Sequence, residues 1–127
     1  MLKRVIIMTL VAVTLSACTG NQNSLPNLLS FDAKWDGVSD NISGVVTPDD
    51  DPVGTSFYFS IFEEGIECAA NIHPSIKVAR SGKWNFGCAD RFLSSGTWAI
   101  EPSTGHVIGS GTDRKSRKVT FVISPMD

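Results

Sequence analysis

The apolar residues of this chain come in short runs of period two, and each run is cut by Gly, Pro, Asp or Ser within roughly ten residues. Residues 83–88 show it most cleanly. Trp84, Phe86 and Cys88 fall on one face; Lys83, Asn85 and Gly87 fall on the other. Successive side chains of a strand point to opposite sides, so such a run buries one face only as β-structure. The alternation returns in Leu29, Phe31, Ala33 and Trp35, in Phe57, Phe59 and Ile61 against Tyr58, Ser60 and Phe62, in Ile76 and Val78, in Trp98 and Ile100, and in Val119, Phe121 and Ile123. Residues 42–47 are rich in β-branched side chains and stop at Pro48-Asp49-Asp50-Asp51-Pro52; residues 105–111 are punctuated by Gly. Beyond the N-terminal segment, no stretch keeps a helical period, and Arg91-Phe92-Leu93 is expected to form at most one helical turn. The pattern predicts about seven strands with regular turns, an all-β sandwich or barrel.

The first residues obey another logic. Lys3 and Arg4 precede an apolar stretch, residues 5–15, and Ser16-Ala17 follow. A positive start, a short apolar core and small residues make a secretory signal over residues 1–17. The stretch falls short of the ~20 residues that span a bilayer. Leu15-Ser16-Ala17-Cys18 resembles the lipobox of bacterial lipoproteins. That resemblance implies lipid attachment at Cys18, with acyl chains whose burial contributes ~0.8 kcal/mol per CH₂. Thr19 in the next position resembles an outer-membrane sorting signal, so the expected location is the bacterial envelope, on the outer membrane. Residues 18–27 are polar and carry Gly20 and Pro26, and they are read as a lipidated tether. Fully extended, nine of them reach about 30 Å. The folded domain is expected over residues 28–127.

Charge narrows the partners. The whole chain has 11 Lys and Arg against 13 Asp and Glu, a formal net charge of −2. Removing Lys3 and Arg4 with the signal deepens the negative balance. Nucleic acid is excluded as a partner on that balance, and anchoring falls to lipid rather than to a basic patch.

Once Cys18 carries lipid, Cys68 and Cys88 remain. An even pair in an oxidising compartment is expected to form a disulfide. A metal site is the competing use, but His73 and His106 stand at no ligand spacing from them. No metal and no cofactor are expected.

Residues 76–124 read I-x-V-x-x-S-G-K-W-x-F, then L-x-S-G-T-W-A-I, G-T-D-R-K and V-T-F-V-I-S. They resemble the C-terminal half of bacterial immunoglobulin-like repeats of surface and adhesin proteins. Gly82, Trp84, Phe86, Leu93, Gly96, Trp98, Ile100 and Phe121 carry the match, with Ile42-Ser43-Gly44 upstream. The resemblance implies an immunoglobulin-like antiparallel β-sandwich. Such repeats usually come in tandem and lack cysteines, so the fold is expected to transfer and the spacer role is not.

Candidate chemistry is sparse. Asp49-Asp50-Asp51 suits Ca²⁺ by charge, but adjacent carboxylates cannot all face one ion, and a solvated turn is expected. Glu63, Glu64 and Glu67 lack a neighbouring nucleophile and read as a charged hairpin tip. The basic run Arg114-Lys115-Ser116-Arg117-Lys118 reads as a turn that guards an edge strand. His73 and His106 sit in loops and suggest no triad. No catalytic residue is assigned. Tyr58 and Phe62 share the face opposite Phe57 and Phe59, and if exposed they mark a binding patch.

The expected function is an envelope-anchored, non-catalytic module for surface interaction or adhesion, held to the membrane through Cys18 and meeting a protein partner there. Two other readings stay open. One is a pilotin-like accessory lipoprotein of a secretion apparatus. The other is a periplasmic inhibitor of a hydrolase such as lysozyme, which would present Ile72-His73-Pro74-Ser75 as a stapled loop.

Overall fold

Strands form where the alternation is cleanest, and a computed structural model describes them over residues 28–48, 51–89 and 92–126. Residues 1–27, with Cys18, the signal and the tether, lie outside the described residues, as do Asp49, Asp50, Asp90, Arg91 and Asp127. In chain order the strands are β1 (Leu29–Trp35), β2 (Ser39–Val46), β3 (Thr55–Ile61), β4 (Ile66–His73), β5 (Ser81–Cys88), β6 (Phe92–Ile100), β7 (Val107–Asp113) and β8 (Lys118–Pro125).

The eight strands make one antiparallel sheet in the order β2-β1-β8-β7-β6-β5-β4-β3. Apart from β2 and β3, every strand pairs with its sequence neighbours, and β8 returns to pair with β1 from Leu29↔Pro125 to Trp35↔Val119. The sheet therefore curls into a nearly closed up-and-down barrel, open in its hydrogen bonding only between β2 and β3. This corrects the expected immunoglobulin-like sandwich of about seven strands. A sandwich needs connections that carry the chain from one sheet to another. Here short hairpins join all neighbours except β2 and β3, so no strand leaves the single ladder.

Two local readings are corrected with it. Residues 76–79 are a turn, not a strand. The N–H groups of Val78 and Ala79 both donate to the Ser75 carbonyl at 3.1 Å, and Ser75 Oγ accepts from the Lys77 N–H at 3.2 Å. The strand missing from the sequence reading is β4, IECAANIH, whose Glu, Ala and Asn carry little strand preference. It is held by its neighbours instead, pairing with β3 and β5 along nearly its whole length. Of the turn expected at Arg91-Phe92-Leu93, Phe92 and Leu93 instead open β6, and Arg91 lies outside the described residues.

Inward side chains fill the barrel. Phe31 lies 4.9 Å from Phe57, 5.0 Å from Phe59, and 5.8 Å from both Phe86 and Phe121 between ring centroids. Trp84 stacks 4.4 Å from Phe86. Trp35, Trp84 and Trp98 are all buried. Aromatic pairs at these spacings add attraction beyond their buried area. So many rings fit inside a narrow barrel only because some inward positions carry no side chain. A Cβ added to Gly109 would overlap the Phe121 ring, and Gly96 and Gly111 face each other where β6 and β7 come too close for side chains.

Candidate functional site

With the interior packed, attention falls on the outer wall beside the β2–β3 seam. The parity of β3 sends Phe57, Phe59 and Ile61 into the core and leaves Tyr58 outside, 76% exposed. Ala69 stands opposite Tyr58 on β4, too small to cover the ring. On the seam side, β2 presents Gly44. A Cβ there would point inward, in ordinary contact with Phe59 Cβ at 3.4 Å and the Phe31 ring at 3.6 Å, so the unpaired strands pack closely at this point.

Immediately after β3 the chain breaks into a one-turn 3-10 helix, Phe62–Glu64. Gly65 ends it in the left-handed region (φ 66), and its N–H donates to the Phe62 carbonyl at 3.1 Å. Glycine adopts that conformation without steric cost. The break leaves Phe62 80% exposed at the end of the barrel opposite Leu28. Ser39 Oγ donates to Glu63 Oε2 at 2.8 Å, a side-chain tie across the seam from β2.

The chain that builds this wall carries charge of one sign. Between Lys34 and Lys77 the chain has no Lys or Arg but eight of its carboxylates: Asp36, Asp40, Asp49, Asp50, Asp51, Glu63, Glu64 and Glu67. Asp36, Asp40, Glu63, Glu64 and Glu67 are exposed. Sequence reading had taken Tyr58 and Phe62 apart from the glutamates; the hairpin of β3 and β4 puts them together, with Glu67 opposite Ser60.

The basic run divides differently. Arg117 is drawn to Asp113, with Nε 2.6 Å from Oδ2, and its guanidinium carbon lies 5.7 Å from the Phe92 ring centroid. Asp113 also accepts the backbone N–H groups of Lys115 and Arg117 at Oδ1, at 2.8 and 2.9 Å. Trp35 Nε1 donates to Oδ2 at 2.9 Å. Burial pushes the Asp113 carboxyl up, but hydrogen bonds from Trp35 and Arg117 outweigh it and hold the group at about 2. Sequence reading missed this buried acid, because G-T-D-R-K looks like any polar turn. Arg114, Lys115 and Lys118 stay exposed.

Cys68 and Cys88 form the expected disulfide, as directly opposed residues of β4 and β5. Both are buried with Trp84 and Phe86 on the inward face. The bridge lies at the far end of the β4–β5 hairpin from residues 74–80 and does not staple that loop. Ile72 and Ser75 are buried, and Ser75 Oγ lies 3.1 Å from Thr55 Oγ1. Of the four residues read as a projecting loop, only His73 and Pro74 are exposed. In the acidic run, Asp51 Oδ1 accepts the Val53 N–H at 2.9 Å, an ordinary turn contact. Among the described residues no three His, Cys, Asp or Glu gather as a metal site, and no helix is long and apolar enough to cross a membrane.

Comparison with protein-family models, with curated proteins and with solved structures finds no match to this chain.

Proposed function

We propose that this chain is a lipid-anchored, non-catalytic binding module of the bacterial cell envelope, and that it holds the Tyr58–Phe62 face out to a protein partner. One observation carries the reading: two large aromatic side chains, 76% and 80% exposed, stand beside an unpaired strand edge on a barrel whose inside is already full of rings. Binding then belongs on the outside, and exposed aromatics are the side chains that gain most from being covered by a partner.

The polarity of the barrel fits an anchor. Leu28 leads into β1 at the end where β2 finishes and β3 begins, and Phe62 follows the opposite end of β3. At ~3.3 Å per residue, β3 separates the two ends by about 20 Å. A lipid on Cys18 would tether the Leu28 end and turn the Phe62 end away from the bilayer.

Intact-mass spectrometry is expected to find Cys18 as an acylated N-terminus, and Cys18→Ser is expected to move the protein to the soluble fraction. A photo-crosslinking residue at position 58 or 62 should give a discrete protein adduct in whole cells, and one at position 108, across the barrel on β7, should not. An unmodified Cys18 thiol, or equal adducts at all three positions, sinks the reading.

A further inference from the structure

Resting on that reading of the Tyr58–Phe62 face, we propose that the partner is a cationic protein, whose Lys and Arg side chains lie over Tyr58 and Phe62 and pair with the carboxylates around them. Beside Tyr58 and Phe62 the described charged side chains are carboxylates, Glu63, Glu64 and Glu67. No Lys or Arg occurs between Lys34 and Lys77; β2 contributes Asp40, β4 contributes Glu67 and His73, and β3 has no ionisable acid or base but Tyr58. The flanking strands carry one cation each, Lys34 on β1 and Lys83 on β5, where Lys83 pairs with His73 of β4. Among the described residues, no Lys or Arg pairs with Asp40, Glu64 or Glu67.

An unbalanced field of one sign attracts its opposite and rejects its like. It therefore selects against acidic proteins, nucleic acid and anionic lipid, and it speeds encounter with cations. The aromatics answer to the same chemistry. The face of a Tyr or Phe ring is electron-rich and attracts a guanidinium or ammonium within about 6 Å, most strongly when water is excluded. Ala69 opposite Tyr58 leaves the ring open to such an approach. An apolar partner would bury the rings but strand the carboxylates beside them, at a desolvation cost with no return.

The test uses the lipidated chain in neutral detergent, with fluorescent deca-lysine as probe and deca-glutamate as control. Deca-lysine is expected to bind and deca-glutamate to stay free. Affinity should fall about tenfold or more between about 0.05 and 0.5 M salt, since rim charges are screened. Tyr58→Ser with Phe62→Ser should weaken binding about tenfold, two cation–π contacts at a few-fold each. Glu64→Gln with Glu67→Gln should weaken it and flatten the salt dependence, and Ile108→Ser should leave it unchanged. Absence of deca-lysine binding, or binding untouched by the Tyr58 and Phe62 substitutions, overturns the cationic partner. If in-cell crosslinks at 58 and 62 persist in that case, the docking face stands and only its chemistry was misread. If those crosslinks are missing as well, both fall.

Discussion

Trp35 and Asp113 meet at the end of the barrel away from Leu28, the indole Nε1–H donating to Asp113 Oδ2 at 2.9 Å across 78 positions of sequence. β1 ends at one residue and β7 at the other, with β8 between them. Arg117 covers the pair from the β7–β8 turn. The three residues close that end with a buried carboxylate whose bonding is fully used.

This relationship makes stability depend on acid. The folded Asp113 carboxyl sits at about 2, below its ordinary 3.8. A carboxylate with a lowered folded value stabilises in full above the unfolded value and loses that contribution as pH falls through the folded one. At 1.36 kcal/mol per unit, about 2 kcal/mol should drain away between about pH 4 and pH 2. Asp113→Asn should cost about 3 kcal/mol at neutral pH, because it breaks a buried pair. Melting curves of both proteins across pH are the check. The gap between their Tm values should narrow on the acid side, and a constant gap would refute the assignment.

The Cys68–Cys88 bridge spans 20 residues of sequence and ties the ends of the β4–β5 hairpin. A loop of this length restricts the unfolded chain by about 3 kcal/mol. With ~1 kcal/mol moving Tm by at least ~4 °C in a domain this size, Cys68→Ala with Cys88→Ala should lower Tm by roughly 10 °C or more. Scanning calorimetry of the variant, and of the parent with reductant, should agree. An unchanged Tm would remove the bridge from the stability of the fold.

Gly109 and Phe121 are paired residues of β7 and β8, and the ring occupies the space a side chain at 109 would need. Gly109→Ala is expected to destabilise by about 1–3 kcal/mol through overpacking. Phe121→Leu should cost stability alone yet soften the effect of Gly109→Ala. A double-mutant cycle from urea unfolding measures this coupling, and strict additivity would show that the ring does not compete for that space.

Ser94 Oγ is buried on the inner face of β6 without a hydrogen-bond partner. An unpaired buried hydroxyl costs about 1–3 kcal/mol. Ser94→Ala should therefore hold or raise the midpoint of urea unfolding, whereas serine-to-alanine substitution at Ser75, bonded to Thr55, should lower it. A loss at Ser94 as large as that at Ser75 would mean that the hydroxyl has a partner after all.

Much of the strand structure was legible because parity is local. Phe57, Phe59 and Ile61 enter the core, and Trp84, Phe86 and Cys88 do the same, as alternation requires. The same parity set Tyr58 outside, and the disulfide followed from a count of thiols. Strand β4 was not legible, since its residues become a strand through two partners rather than through their own preference. Residues 76–79 misled for the converse reason: Ile76 and Val78 alternate, yet Ser75 captures the following N–H groups and turns the chain.

The sequence by itself determined that this chain is all-β, which faces of most strands are apolar, which thiols pair, and that residues 35–76 contain no Lys or Arg. Only the tertiary structure decided that the strands close into a nearly complete barrel, because alternation has the same period in a sandwich and a barrel. Pairing of β8 with β1, set by contacts between the two ends of the domain, makes the difference. It also decided that Trp35 reaches Asp113 and that Gly109 makes room for Phe121, since side chains distant in sequence meet only once the sheet has curved.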